Sequence, residues 1–239
     1  MDKLHSAAAK LGITLTEEHL RQFCTYYREL VLWNRRINLT AITGFEEVQV
    51  KHFLDSLTVV RALELPPDNN FSVIDVGSGA GFPGIPLKII YPGIRLALLE
   101  ATGKKAEFLA HIVRELKLEG IEVVRGRAEE TAHEEKYREK FSVALSRAVA
   151  GLSSLAELAL PFAEVGGLFV AQKKGDIQQE IDRAVGAMAK LGGRLKEVIT
   201  VELEELVERR YLVIIEKIGP TPADYPRRPG IPVKRPLSS

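Results

Sequence analysis

Residues 71–84 read Phe71-Ser72-Val73-Ile74-Asp75-Val76-Gly77-Ser78-Gly79-Ala80-Gly81-Phe82-Pro83-Gly84. A short β-prone run ends in an acid, and alternating glycines follow at once. Glycine lets the backbone turn sharply and approach a ligand closely. A loop at the carboxyl end of a first strand lies near the switch point where open α/β sheets bind ligands. The stretch therefore points to a nucleotide-like cofactor. Gly79–Gly84 is literally a G-x-G-x-x-G string, which suggests NAD. That register starts four residues after Asp75 and puts Pro83 in the tight turn. The second register, Asp75 to Gly81, is Asp-x-Gly-x-Gly-x-Gly. A glycine turn with no ligand is the weakest reading, because alternating glycines destabilise without adding packing.

Outward from this loop, short apolar runs alternate with helical stretches. The expected strands are Phe71–Val76, Arg95–Glu100, Ile121–Val124, Phe141–Leu145, Leu168–Ala171, Val198–Leu203 and Tyr211–Ile215. Helical patterns fall around Gly84–Ile90, Lys104–Leu118, Leu152–Ala163 and Ile177–Leu191. Continuous Val/Ile/Leu runs suit strands buried on both faces, and the alternation implies βαβ units. Residues 204–210 are too few for a crossover helix, so the last two strands form an antiparallel pair. The expected fold is α/β: a mostly parallel seven-stranded sheet closed by one antiparallel hairpin.

Residues 1–65 read as a helical extension. Thr16 is an N-cap candidate, followed by Leu20, Phe23, Tyr27, Leu30 or Val31, and Asn34 at helical spacing. A second helix spans about Glu46 to Leu63 and ends at the Pro66–Asn70 linker. The sheet domain then runs over 71–218. The Pro/Arg-rich tail, 219–239, reads as extended and loosely packed. Lys+Arg is 33 against 32 Asp+Glu in 239 residues, a net charge of +1, so any polyanion must meet a local basic surface. One cysteine excludes an internal disulfide and a Cys-rich zinc module. No h-region and no long apolar span is visible, so the expectation is a cytoplasmic protein with no membrane contact.

The Asp75–Gly81 register resembles the first motif of class I methyltransferases, which bind S-adenosylmethionine. Its cationic amino acid moiety suits a nearby carboxylate such as Asp75. The terminal hairpin matches that sheet better than a dinucleotide-binding one. Glu100 closes the second strand, where a carboxylate accepts hydrogen bonds from ribose hydroxyls in either cofactor class. Several segments together are similar to one family. They are Trp33-Asn34-Arg35-Arg36-Ile37-Asn38-Leu39-Thr40-Ala41-Ile42, His52-Phe53-Leu54-Asp55-Ser56-Leu57, Asp75–Pro86 and Leu145-Ser146-Arg147-Ala148. The family is ribosomal RNA small subunit methyltransferase G, also called glucose-inhibited division protein B. The resemblance covers about residues 16 to 218, and the tail lies outside it.

What the resemblance implies is methyl transfer from S-adenosylmethionine to N7 of a guanine in 16S rRNA, with the rRNA or small ribosomal subunit as partner and the enzyme a monomer. It places cofactor contacts at Gly77, Phe82, Glu100, Ala101, Thr102, Ala128, Glu129 and Arg147. Read from the residues alone, Phe82 fills the core as readily as it packs on a cofactor, and Arg147 reads as a surface ion pair. Guanine N7 carries a lone pair and no proton, so no general base is required, and catalysis rests on positioning. Candidate RNA contacts are Arg35, Arg36, Lys104, Lys105, Arg125, Arg127, Lys173 and Lys174. Arg147 is assigned to the cofactor carboxylate or an RNA phosphate. His52 and Asp55, three apart on a helix, read as a buried pair tying the extension to the sheet, and no metal site is expected. The alternatives are a class I methyltransferase acting on another RNA, a protein or a small molecule, an RNA-binding module without activity, and an NAD-binding oxidoreductase.

Overall fold

A computed structural model describes residues 1–63, 71–147 and 150–237. The Pro66–Asn70 linker and Ala148 lie outside the described residues. The apolar runs become β1 (Ser72–Val76), β2 (Arg95–Glu100), β3 (Ile121–Arg125), β4 (Phe141–Arg147), β5 (Ala163–Lys174), β6 (Gly193–Val201) and β7 (Arg210–Lys217). They form one sheet in the order β3-β2-β1-β4-β5-β7-β6. β1 to β5 pair in parallel, and β7 runs antiparallel to both β5 and β6. The expected antiparallel hairpin is present, with β7 inserted beside β5.

Side chains alternate across a strand, and each face of this sheet has its own core. Val73, Leu96, Leu98, Val143, Leu145 and Ile214 enter one cluster. Ile74, Val76, Leu99, Ala144, Phe169 and Ile215 enter the other. The second face is covered by α7 (Ala128–Thr131), α8 (Leu152–Ala159) and α9 (Gln178–Lys190). The first is covered by α5 (Gly84–Ile90), α6 (Gly103–Glu115) and the N-terminal helices. Those are α1 (Asp2–Lys10), α2 (Glu17–Asn34) and a helical run starting at α3 (Phe45–Val48). The run widens to a π-helix over Gln49–Leu54, returns to α4 (Asp55–Leu57), and ends as a 3-10 turn over Thr58–Ala62. Leu4, Phe23, Leu30, Phe53 and Leu57 are fully buried against the sheet. The extension therefore shares the sheet's core.

Thr16 caps α2 as expected, accepting the His19 N–H, and the His19 ring accepts the Thr16 N–H in return. The buried face of α2 is Phe23, Tyr26 and Leu30, one position away from the face drawn through Tyr27. Tyr27 lies half-buried, and the ring that enters the core is Tyr26.

The tail corrects the expectation of loose packing. The Arg227 guanidinium forks onto Glu157 of α8 at 2.8 and 2.7 Å, and the Arg227 N–H donates to the same carboxylate. The Glu157 side chain is fully buried. Arg138 donates to the Thr221, Pro222 and Tyr225 carbonyls, and Ser154 donates to the Pro232 carbonyl. A short helix, α10 (Ile231–Lys234), follows. The proline- and arginine-rich composition resembles a solvated tail because the acids that hold it lie far away in sequence. Removing one member of a buried pair leaves an uncompensated charge, so Arg227→Ala should lower the unfolding free energy by about 3 kcal/mol. A urea titration reads this as a lower midpoint at unchanged slope. Arg227→Lys should recover part of the loss, and a loss under about 0.5 kcal/mol would mean the tail is undocked in solution.

Candidate active site

β1 ends at Val76, and the register pairs Val76 with Leu99 of β2. Gly77 and Ser78 donate their N–H groups to the Leu99 carbonyl at 2.9 and 3.0 Å, turning the chain over the end of the sheet. Gly79, at φ 59°, has left-handed backbone. A Cβ there would have no neighbour closer than 3.9 Å, so this turn faces open space. Gly81 is constrained differently. A Cβ would lie 2.5 Å from Ile85 Cδ1 and 2.6 Å from the Tyr26 hydroxyl. That hydroxyl donates to the Ala80 carbonyl at 2.5 Å, clamping the loop to α2.

Two buried carboxylates hold the loop from beneath. Glu100 Oε2 accepts the Gly79 N–H at 2.9 Å, and Oε1 accepts the Thr102 N–H at 2.8 Å. Asp75 Oδ2 accepts the Gly84 N–H at 3.0 Å, while Oδ1 has no partner. Burial pushes the Asp75 carboxyl up to about 7, against the opposing pull of the Gly84 N–H and the Arg147 charge. Asp75, which the sequence offers as a nearby carboxylate but not as one of the expected contacts, is the acid that fixes the far end of the loop. Its place as the last acid before the glycines was the available signal.

Arg147 closes β4, and the structure engages it fully. Its Nη1 donates to Asp55 Oδ2 at 3.2 Å, and Nη2 lies 3.4 Å from His52 Nδ1. The guanidinium stacks on Phe82 at 4.8 Å. Asp55 also accepts from Arg210 Nε at 2.9 Å. Gln172 donates to the Asp55 carbonyl at 2.7 Å and leaves its own buried oxygen without a partner. Arg147 can only donate, so His52 Nδ1 is the acceptor facing it and the neutral ring carries its proton on Nε2, 2.7 Å from Thr40 Oγ1. Burial and the Arg147 charge lower the His52 imidazole to about 4, so it is neutral. Thr40 is set by Asn34, whose side-chain oxygen accepts the Leu39 and Thr40 N–H groups. The 33–42 motif is thus a turn that orients His52. His52 and Asp55 tie the extension to the sheet through Arg147. Phe82 is 5% exposed and packs on His52 and Tyr26, so it fills the core.

This network floors a cavity of about 480 Å³. His52, Asp55, Arg147, Gln172, Lys174 and Arg210 line it. Arg210 and Gln172 were not anticipated, because an arginine at a hairpin base and a glutamine closing an apolar strand look ordinary in sequence. The third strand end lies beside the loop. Gly126 donates to the Glu100 carbonyl, and Ala128 and Glu129 open α7. The Glu129 carboxylate turns away to accept the Gly230 N–H at 2.8 Å.

The basic candidates divide. Arg35, Arg36, Lys104, Arg125 and Arg127 are exposed and Lys105 is half-buried. The Arg125 guanidinium lies across Gly103, at the start of α6. Trp33, two residues before Arg35, packs on Phe108 and His111. Lys173 is neutralised by Glu180 at 2.7 Å and donates to the Ala150 carbonyl, so it is withdrawn from phosphate contact. Lys174 is exposed and pairs with Glu208 at 3.3 Å. Among the described residues, no cluster of His, Cys, Asp and Glu could hold a metal ion, and no helix is long and apolar enough to cross a membrane.

A family model described as rRNA small subunit methyltransferase G matches residues 19–210. The chain belongs to the rRNA small subunit methyltransferase G family. A relative of that name in Dehalococcoides mccartyi (strain CBDB1) is 55% identical, covering 99% of this chain and 100% of its own. The Pelotomaculum thermopropionicum relative is 49% identical, covering 99% and 98%. The fold is shared more widely. M. jannaschii TYW2, solved with AdoMet, superposes with a TM-score of 0.51 at 14% identity, covering 69% of this chain and 77% of its own. Geranyl diphosphate C-methyltransferase from Streptomyces coelicolor superposes at 0.52 and 11% identity, covering 68% and 75%. The sheet of this rRNA methyltransferase G family member is thus a class I methyltransferase sheet.

Asp75 gives a test in the ligand-free protein. Its folded pKa, about 7, exceeds the ordinary 3.8, so between those values the folded state holds a proton that the unfolded state has lost. Its contribution to stability therefore falls as pH rises through that window. Asp75→Asn removes the titration and keeps an acceptor for Gly84. The melting temperature of the variant should rise relative to wild type from pH 5 to pH 8. A constant difference would show that Asp75 ionises normally.

Proposed function

We propose that the protein transfers a methyl group from S-adenosylmethionine to N7 of a guanine in 16S rRNA, acting in the cytoplasm as a monomer on the rRNA or the small ribosomal subunit. One observation carries the cofactor assignment: an open glycine turn stands over the buried Asp75 carboxylate, which takes the Gly84 N–H. A donor with a sulfonium and an ammonium is attracted there. A pyrophosphate is repelled, and the Gly84 N–H that would receive it at the start of α5 is already bonded to Asp75. The NAD alternative fails on this charge arrangement.

S-adenosylmethionine, when bound, supplies an electrophilic methyl group on a positively charged sulfur. Gly77 and Gly79 let its amino acid end approach the backbone, and the Asp75 field favours its positive charge. Glu100 accepts from the ribose hydroxyls beside Ala101 and Thr102. The N–H groups of Ala128 and Glu129, which open a helix and lack intrahelical acceptors, face the ring edge. Arg147 can turn from Asp55 toward the donor carboxylate or an RNA phosphate, because Arg210 keeps Asp55 paired. The cavity beyond Arg147 takes the target base, which must leave its stack because the major-groove edge of A-form RNA is deep and narrow. No residue there is needed as a base. His52 is neutral with both ring nitrogens engaged, and N7 attacks through its own lone pair. The protein's contribution is alignment.

Labelled donor and small subunits lacking the modification should give label at one guanine N7. Label on protein, or at an exocyclic or ribose position, overturns the reading. Arg147→Ala should lower kcat/KM by about 100-fold or more while costing only about 1–2 kcal/mol of stability. A variant that merely melts shows that Arg147 is structural. For the RNA surface, a double substitution of Arg125 and Arg127 by Ala should reduce the salt slope of log K by about two. An unchanged slope removes these residues from the interface.

A further inference from the structure

α7 is a single turn of four residues, too short to persist by local hydrogen bonding. Its two N-terminal N–H groups are nevertheless the ones that the proposed function assigns to the donor's ring. What holds this turn comes largely from the tail, beyond the 19–210 segment that defines the family match. At its start, the Glu129 carboxylate accepts the Gly230 N–H at 2.8 Å, and Glu129 is only 9% exposed. At its end, His133 Nε2 donates to the Pro226 carbonyl at 2.9 Å. Arg138 bridges the Ala132 carbonyl at 3.0 Å to the Tyr225 carbonyl at 2.9 Å with one nitrogen. The tail can carry this load because it is anchored independently. Arg227 is forked onto buried Glu157, and Thr221 bonds the Leu191 carbonyl, Glu139 and the fully buried Lys217.

We propose that the C-terminal tail completes the cofactor site from behind, with Gly230 and Glu129 as positioning residues that fix the orientation of the Ala128 and Glu129 N–H groups. The Glu129 side chain faces the tail and does not touch the donor; only its backbone does. The exposed polar surface expected of residues 219–239 is instead the support of one wall of the pocket. This inference rests on the reading that the end of β3 receives the donor's ring.

The experiment compares wild type, Glu129→Ala and Glu129→Gln as full-length proteins. Glutamine keeps an oxygen that can accept the Gly230 N–H, and alanine does not. Calorimetry with S-adenosylmethionine should show Glu129→Ala binding about 10-fold more weakly, with Glu129→Gln within about threefold of wild type. The KM for the donor should rise in parallel, by more than kcat falls. Equal donor affinity in all three proteins overturns the proposal, as does a lower melting temperature of Glu129→Ala with unchanged affinity. If Glu129→Ala does not fold, Arg138→Ala, which releases the other end of the turn, must weaken donor binding by a similar factor or the proposal fails. Absence of donor binding by wild type itself would instead reject the underlying cofactor reading.

Discussion

The turn over residues 77–81 after β1 has almost no side-chain bulk, so packing alone cannot fix it. Hydrogen bonds from N–H groups in it and just after it to two buried acids do so. Glu100 takes Gly79, and Asp75 takes Gly84. Each acid closes or nearly closes a strand, so the sheet register itself sets where the loop stands. Burying a carboxylate is unfavourable unless it is well bonded. Asp75, with one oxygen unpaired, keeps part of that penalty in the ligand-free protein. The cationic donor of the proposed function would relieve it, which would couple the stability of the fold to occupancy of the site.

The second junction is Asp55. It sits where α4 begins, receives Arg147 from β4 and Arg210 from β7, and offers its carbonyl to Gln172 of β5. One residue thereby ties the helical extension to three strands, two through its carboxylate and one through its backbone carbonyl. The extension shares the sheet's core and sets the position of Arg147, so it is part of the site. The Asn34 turn and His52 act in the same direction, holding the guanidinium through a neutral ring.

The sheet, its antiparallel close, the Thr16 cap and the place of Glu100 were all legible in the chain, because each follows from local pattern and short-range spacing. What escaped was decided by distant partners. Nothing near Arg227 announces Glu157, seventy positions away, while Glu180 is near Lys173 in sequence but reaches it only because the chain turns between β5 and α9. The tail thus read as solvated and Lys173 as free. Phe82 was ambiguous because an aromatic beside glycines can cover a ligand or a core. Its stacking on His52 and Tyr26 depends on helices outside its own βα unit. Tyr26 and Tyr27 are adjacent, and helical periodicity alone did not distinguish which one turns inward.

The insertion of β7 between β5 and β6 has a consequence for folding. β6 is made before β7 yet pairs with no other strand. It joins the sheet only through β7, which pairs antiparallel with it on one side and with β5 on the other. The β5–β7 pairing is the non-local one, and such pairings slow folding and leave open strand edges at risk of association until they form. β7 is therefore the strand on which attachment of β6 depends, and without it the β5 edge would stand unpaired among the described residues.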